Sequence, residues 1–201
     1  MHEAFAPSGL VLPEQPAMTS LGFQIYQANV EQWTQLTNPG PLSFSGTAGN
    51  DAILGSTSWD WLSGEAGSDY LGGGLGGDIL YSSFWSADTP GSFNVLEGGA
   101  DNDAEYGDRG MDLFVFGTAS GQDVIHYFDP TQDYIVIEAG ANGSNLNSAA
   151  DLAGCISDRP EGTFIDFGAG NSITLVDTPS SALLDANFLF VEVTATGPAF
   201  V

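Results

Sequence analysis

The chain has 201 residues, of which 26 are acidic and only two, Arg109 and Arg159, are basic, giving a formal net charge of −24. Such a polyanion repels nucleic-acid phosphates and anionic lipid, which argues against both as partners, and its carboxylates oppose compaction unless cations enter the fold. Disorder fits poorly with a chain that is 42% apolar and 11% aromatic.

Residues 1–45 read as an N-terminal tail followed by a capping helix. Met1–Gln15 has neither the basic region nor the apolar core of a cleaved leader, so export is expected to proceed without one. Over Ser20–Leu36, the residues Leu21, Ile25, Val30, Trp33 and Leu36 approximate one helical face, and Asn38-Pro39-Gly40 would stop the helix. This helix is expected to lie as a lid over the start of residues 46–126. No apolar run is long enough to cross a membrane.

Residues 46–126 carry a nine-residue period. Four unbroken rows, GTAGNDAIL, GSTSWDWLS, GEAGSDYLG and GGLGGDILY, place Asp51, Asp60, Asp69 and Asp78 sixth and Ile53, Leu62, Leu71 and Leu80 eighth. After an insert at Ser82–Asp88 come TPGSFNVLE, GGADNDAEY and GDRGMDLFV, with Asn94, Asp103 and Asp112 sixth. A slip at Phe116 and Gly117 leads to an eighth row, TASGQDVIH, with Asp123 sixth.

Glycines early in a row allow tight turns and close approach between turns. The end of each row then forms a short strand whose eighth side chain points inward. Alternate rows belong to opposite sheets, so row one stacks on row three and row two on row four. Stacked aspartates come within about one strand spacing, ~4.8 Å, where two carboxylates repel. A hard divalent cation held by carboxylate and carbonyl oxygens removes that conflict, and Ca²⁺ suits flexible oxygen cages best. Glu105 departs from the pattern. It occupies an inward eighth position, where an unpaired carboxylate is costly, so distortion or contact with a cation or solvent is expected there.

Residues 127–201 read as a C-terminal β cap. Asn147 would cap a short helix running through Leu152. TFIDF-GAGN-SITLV reads as a β-hairpin and ANFLFVEV as a last strand, with TATGPAFV as a loose tail.

These rows resemble the RTX (repeats-in-toxin, haemolysin-type calcium-binding repeat) family of type I-secreted proteins, whose nonapeptide is G-G-x-G-x-D-x-U-x. The likeness is carried by residues 46–136 and extends less strictly to about residue 191. It implies an all-β fold, a right-handed parallel β-roll with several Ca²⁺ ions between turns. It implies metal ligation by Asp51, Asp60, Asp69, Asp78, Asn94, Asp103, Asp112 and Asp123, together with the main chain of Gly46, Gly49, Gly64, Gly67, Gly73 and Gly76. Asp51 with Asp69 and Asp60 with Asp78 form the two best pairs, Asp103 with Asp123 a third, and Asp69 with Asn94 a weakened one. At the rear junction, Asp123, Asp129 and Asp133 match a further acidic site of the family. The resemblance also implies passage through type I secretion machinery, an extracellular or cell-surface home of the Gram-negative type, and an uncleaved secretion signal near the C-terminus.

No catalytic constellation is legible. His2-Glu3 lacks a second histidine at zinc-protease spacing, His126 stands alone, and two histidines are too few for a plausible serine triad. Cys155 has no neighbouring base and reads as a small packed residue. The expectation is therefore a non-enzymatic structural, surface-layer, matrix-fibre or adhesion component. The alternative is a secretion or polysaccharide-binding module of an extracellular enzyme. Trp59, Trp61 and Trp85 are the candidates for a glycan; an outer apolar patch of Trp61, Ile79 and Tyr81 is expected to be covered by the N-terminal helix, or else to contact another copy of the protein or a glycan.

Overall fold

A computed structural model describes residues 30, 32–37, 40–84, 91–194 and 197–200. The nine-residue period becomes two sheets facing one another. The first sheet takes β1 (Gln32–Gln35), β3 (Asp51–Leu54), β5 (Tyr70–Leu75), β7 (Phe93–Ala100), β9 (Met111–Phe116), β11 (Tyr134–Glu138), β15 (Phe188–Thr194) and β16 (Gly197–Phe200), in that order. The second takes β2 (Leu42–Ser45), β4 (Asp60–Ser63), β6 (Ile79–Tyr81), β8 (Ala104–Tyr106) and β10 (Gln122–His126). It is completed by β14 (Asn171–Val176), β13 (Gly162–Gly168) and β12 (Ile156–Arg159). Pairing is parallel from β1 through β15 in the first sheet and from β2 through β10 to β14 in the second. This is a parallel β-roll, all-β, with rows stacking two apart.

The register aligns the eighth positions. Ile53 lies beside Leu71, Leu71 beside Leu96 and Leu96 beside Phe114 in one sheet; Leu62 lies beside Leu80 in the other. These residues are buried in one core with Ile125, Ile135 and Ile173. At about 1.5–3 kcal/mol for each buried large aliphatic side chain, this column is the main apolar contribution holding the sheets together. Glu105 occupies the same column between Leu80 and Ile125 and does not distort it, since β8 pairs in register on both sides. Nor does Glu105 reach solvent; it is fully buried.

The front differs from the helical expectation. Gln32–Gln35 is a strand paired with β3, and β2 pairs with β4, so the roll begins two strands before the first glycine-aspartate row. Val30 and Trp33 pack on the outer face of the first sheet while Leu36 packs on the core. An exposed parallel edge supplies ladder partners that override a weak helical spacing. Residues 20–29 of the expected helix lie outside the described residues.

At the rear, β13 and β14 form the expected hairpin, and β12 extends it antiparallel. The helix expected from Asn147 is a single 3₁₀ turn, Ala149–Leu152, because Asp151 turns back onto Asn147 N–H and the Ser148 hydroxyl. Cys155 is half-buried against the core. The expected loose tail contains β16, paired antiparallel with β15.

Candidate metal-binding turns

Each sixth residue immediately precedes a strand or is one of its first two residues, and its side chain turns back over the loop. Along both sheets, the Oδ1 of one such residue accepts the main-chain N–H of the residue stacked before it. In the first sheet Asp51 N donates to Asp69 at 2.9 Å, Asp69 N to Asn94 at 3.0 Å and Asp112 N to Asp133 at 3.0 Å. In the second, Leu42 N donates to Asp60 at 3.0 Å, Asp60 N to Asp78 at 2.7 Å, Asp78 N to Asp103 at 2.7 Å and Asp103 N to Asp123 at 2.9 Å. Asp51 ends its column: Gln32 N–H goes to the Asn50 carbonyl, and Asp51 Oδ1 is left buried without a partner. The pairing of Asp78 with Asp103 spans 25 residues and that of Asp112 with Asp133 spans 21. Both escape a reading based on the 18-residue spacing of Asp51 and Asp69.

The second carboxylate oxygen divides the turns into two kinds. Oδ2 of Asp51, Asp60, Asp112 and Asp133 accepts the N–H of the residue four before it, namely Thr47, Ser56, Asp108 and Asp129. Oδ2 of Asp69, Asp78, Asp103 and Asp123 is buried and has no hydrogen-bond partner. The backbone explains the split. The residue four before each of these aspartates has positive φ: Glu65 at 70°, Gly74 at 111°, Gly99 at 104° and Ala119 at 63°. So has the residue two before: Gly67 at 125°, Gly76 at 105°, Asp101 at 81° and Gly121 at 94°. In the other four turns, neither position lies in the left-handed region.

Side-chain chemistry selects between them. In the capped turns, the residue four before the aspartate is Thr, Ser or Asp, and its oxygen accepts the N–H two residues on. Gly49 N donates to Thr47, Ser58 N to Ser56, Gly110 N to Asp108 and Thr131 N to Asp129. These are ST- and Asx-turns. Gly74, Gly99 and Ala119 carry no side-chain oxygen for such a bond, and the Glu65 carboxylate takes the Ser63 hydroxyl instead. Their turns remain open.

The orphaned oxygens lie close against the opening glycines of their turns. A Cβ placed on Gly64, Gly73 or Gly98 would strike Oδ2 of Asp69, Asp78 or Asp103 respectively, and on Gly73 it would also meet the carbonyl oxygen of Gly98. The same close approach occurs in capped turns, where a Cβ on Gly46 would meet Oδ2 of Asp51 and the carbonyl oxygen of Gly64. Carboxylate and carbonyl oxygens thus converge over the opening glycines, the hard donor set that Ca²⁺ takes. In the turn before Asp123, Ser120 Oγ is a further buried, unpartnered oxygen. Among the described residues, no three or more His, Cys, Asp or Glu side chains gather where they could hold a metal, so any cage here draws on the main chain.

Electrostatics points the same way. Burial raises the carboxyls of Asp69, Asp78, Asp123 and Asp133 to about 8 and those of Asp103 and Asp112 to about 7, and neighbouring carboxylates push them further up. Glu105 is pushed well up by burial and by Asp123 and Asp103; its Oε1 accepts Gly98 N–H at 2.9 Å and its Oε2 has no partner. Keeping one carboxyl with a pKa near 8 in its protonated form at pH 7 costs about 4 kcal/mol, at ~1.4 kcal/mol per unit. Two or three such sites without a cation would consume a typical stability of about 5–15 kcal/mol.

Two groups of the expected site residues have hydrogen-bond arrangements of their own. Asn94 is a hydrogen-bond relay: its Oδ1 takes Asp69 N–H, and its Nδ2 donates to Asp112 Oδ1 at 3.0 Å, alongside the Ser82 hydroxyl at 2.7 Å. The Asn94 amide N–H is thus aimed along the column at Asp112. At the rear, Asp129 joins Asp133, which joins Asp112, while Asp123 joins Asp103 in the other sheet. The three carboxylates of the expected rear site are thus split between two columns.

On the outer face of the second sheet, Tyr81, Tyr106 and His126 stack at 4.3 Å per step. Trp59, Trp61 and Tyr127 are 53%, 38% and 71% exposed and are accessible aromatic surfaces; Trp85 lies outside the described residues.

No protein-family model matches this sequence, and no curated protein sequence matches it. Among solved structures, the chain is similar to the extracellular lipase LipA of Serratia marcescens, at 13% identity and a TM-score of 0.37 over 85% of this chain. The chain covers 46% of that lipase, less than half its length. It is also similar to two subunits of the mannuronan C5-epimerase of Azotobacter vinelandii. One is 25% identical with a TM-score of 0.37, covering 80% of each chain. The other is 24% identical with a TM-score of 0.34, covering 77% of this chain and 94% of that one.

Proposed function

We propose that this chain is a secreted, RTX-like calcium-binding β-roll that folds when Ca²⁺ enters its turns. Its role would be non-catalytic, in a surface layer, matrix fibre or adhesion complex. The observation that carries the reading is the set of buried, unpartnered Oδ2 atoms on Asp69, Asp78, Asp103 and Asp123. Bound ions would supply the positive charge that a chain with two arginines and no lysine lacks, so that binding free energy becomes folding free energy. Extracellular calcium modules work at about 10⁻⁴–10⁻³ M, a range that keeps the chain unfolded inside a cell and folds it outside. Export would run through type I machinery.

The exposed Trp59 and Trp61 support a second reading, a polysaccharide-binding module that serves an extracellular enzyme. Light scattering and electron microscopy during calcium titration separate the two. The structural reading predicts ordered assemblies at millimolar calcium. A calcium-folded monomer whose tryptophan fluorescence responds to neutral glycans would replace it with the second.

A further inference from the structure

The eight aspartates of the roll occupy equivalent places in the repeat, yet only four of them leave Oδ2 unsatisfied. We infer that Ca²⁺ is held at the open turns ending in Asp69, Asp78, Asp103 and Asp123, and that the turns ending in Asp51, Asp60, Asp112 and Asp133 close without an ion. The residue four before each aspartate makes the choice. This deepens the calcium reading above and rests on it.

In a capped turn, the Thr, Ser or Asp oxygen holds the N–H two residues on, which keeps the backbone out of the left-handed region. The N–H of that same residue then points at the aspartate and occupies Oδ2 at 2.6–2.7 Å. Such a turn satisfies Oδ2 within the protein. In an open turn, no side chain makes that bond, φ is positive at two positions, and Oδ2 is left buried and unpartnered. Three of the residues with positive φ, Glu65, Asp101 and Ala119, are not glycine, so their turns carry a backbone cost. Hydrogen bonding within the protein does not offset that cost at Oδ2; an oxygen-seeking cation does. Burial alone does not draw the line, because it raises Asp112 and Asp133 in capped turns as well. The direction of one N–H does.

The open turns are unevenly placed. Asp78, Asp103 and Asp123 follow one another along the second sheet, while Asp69 is alone in the first, hemmed by the Asn94 relay. Ions therefore concentrate in a column along one edge of the roll. The front turns at Asp51 and Asp60 and the Asp112–Asp133 pair would form protein-only segments on which that column is built.

The test uses the full chain and calcium alone, with bound ions counted by equilibrium dialysis and folding followed by far-ultraviolet circular dichroism. Asp78→Asn and Asp103→Asn should each lose about one ion, whereas Asp51→Asn and Asp60→Asn keep the wild-type count. Ala119→Ser retains the aspartate and adds no new Cβ. By capping its turn it should also lose about one ion and still fold at saturating calcium. Equal losses in the two aspartate sets, or a full count in Ala119→Ser, would overturn the inference while leaving calcium binding in place. A wild-type chain that binds no calcium at millimolar concentration defeats the calcium reading and this inference together.

Discussion

The two edges of the roll start from the same repeat and reach different chemical ends. Along the first sheet the column runs Asp51, Asp69, Asn94, Asp112, Asp133, and beyond Asp69 every side-chain oxygen is taken by an N–H or a hydroxyl. Along the second it runs Asp60, Asp78, Asp103, Asp123, and three consecutive carboxylates keep one oxygen bare. An aspartate in the sixth position is therefore not by itself a metal ligand. What matters is whether its own turn has already satisfied it.

The largest consequence is with pH. A carboxyl whose folded pKa is raised stabilises the fold fully below its unfolded value, and that contribution is lost as pH rises through the folded value. In chelator, stability should therefore be greatest near pH 4 and fall through pH 7–8, where Asp103 and Asp112 and then Asp69, Asp78, Asp123 and Asp133 lose their protons. Urea titrations between pH 4 and 8 measure this. With calcium, affinity should rise over the same window because the ion replaces protons.

Next in size are the two columns themselves. Asp103→Ala strips the acceptor from Asp78 N–H and removes an oxygen from the ion column, so it should raise the calcium midpoint and cost about 2–4 kcal/mol. Asn94→Ala leaves Asp69 N–H unpaired and takes a donor from Asp112. It should cost about 2 kcal/mol in denaturant titrations at saturating calcium, with the number of bound ions unchanged. A large loss of ions in Asn94→Ala would restore it as a ligand.

Glu105→Gln should come next, stabilising the chelated chain by about 1–3 kcal/mol at pH 8 and having little effect at pH 4, because burial raises the carboxyl that it removes. The smallest effect belongs to Ala119→Gly. It relieves a positive φ of 63° and should add about 1 kcal/mol, readable as a modest rise in melting temperature with calcium present.

Much of this was legible in the residues, and the gaps have physical causes. The glycine-aspartate cadence and the apolar eighth position predict strands, inward faces and two alternating sheets. β1 carries neither signal and β2 only the apolar one, in Phe44 beside Leu62; Gln32 and Leu42 stand where aspartate would, and both strands join the roll at an available edge. Trp33 and Leu36 fit a helical face and a strand almost equally well, and tertiary pairing decides between them. The split between capped and open turns is written in Thr47, Ser56, Asp108 and Asp129 against Glu65, Gly74, Gly99 and Ala119. A pattern search that tracks glycine and aspartate passes over it. The role of Asn94 has no sequence signal, since it depends on which way one amide faces two stacked neighbours.

The most direct trial is a pair of thermal melts at pH 7.5, one after exhaustive chelation and one in millimolar calcium, read by circular dichroism. A cooperative transition that appears only with the ion is the expected result. Superimposable melts of an equally structured chain would mean that the buried carboxylates hold together without metal, and the account would fail at its root.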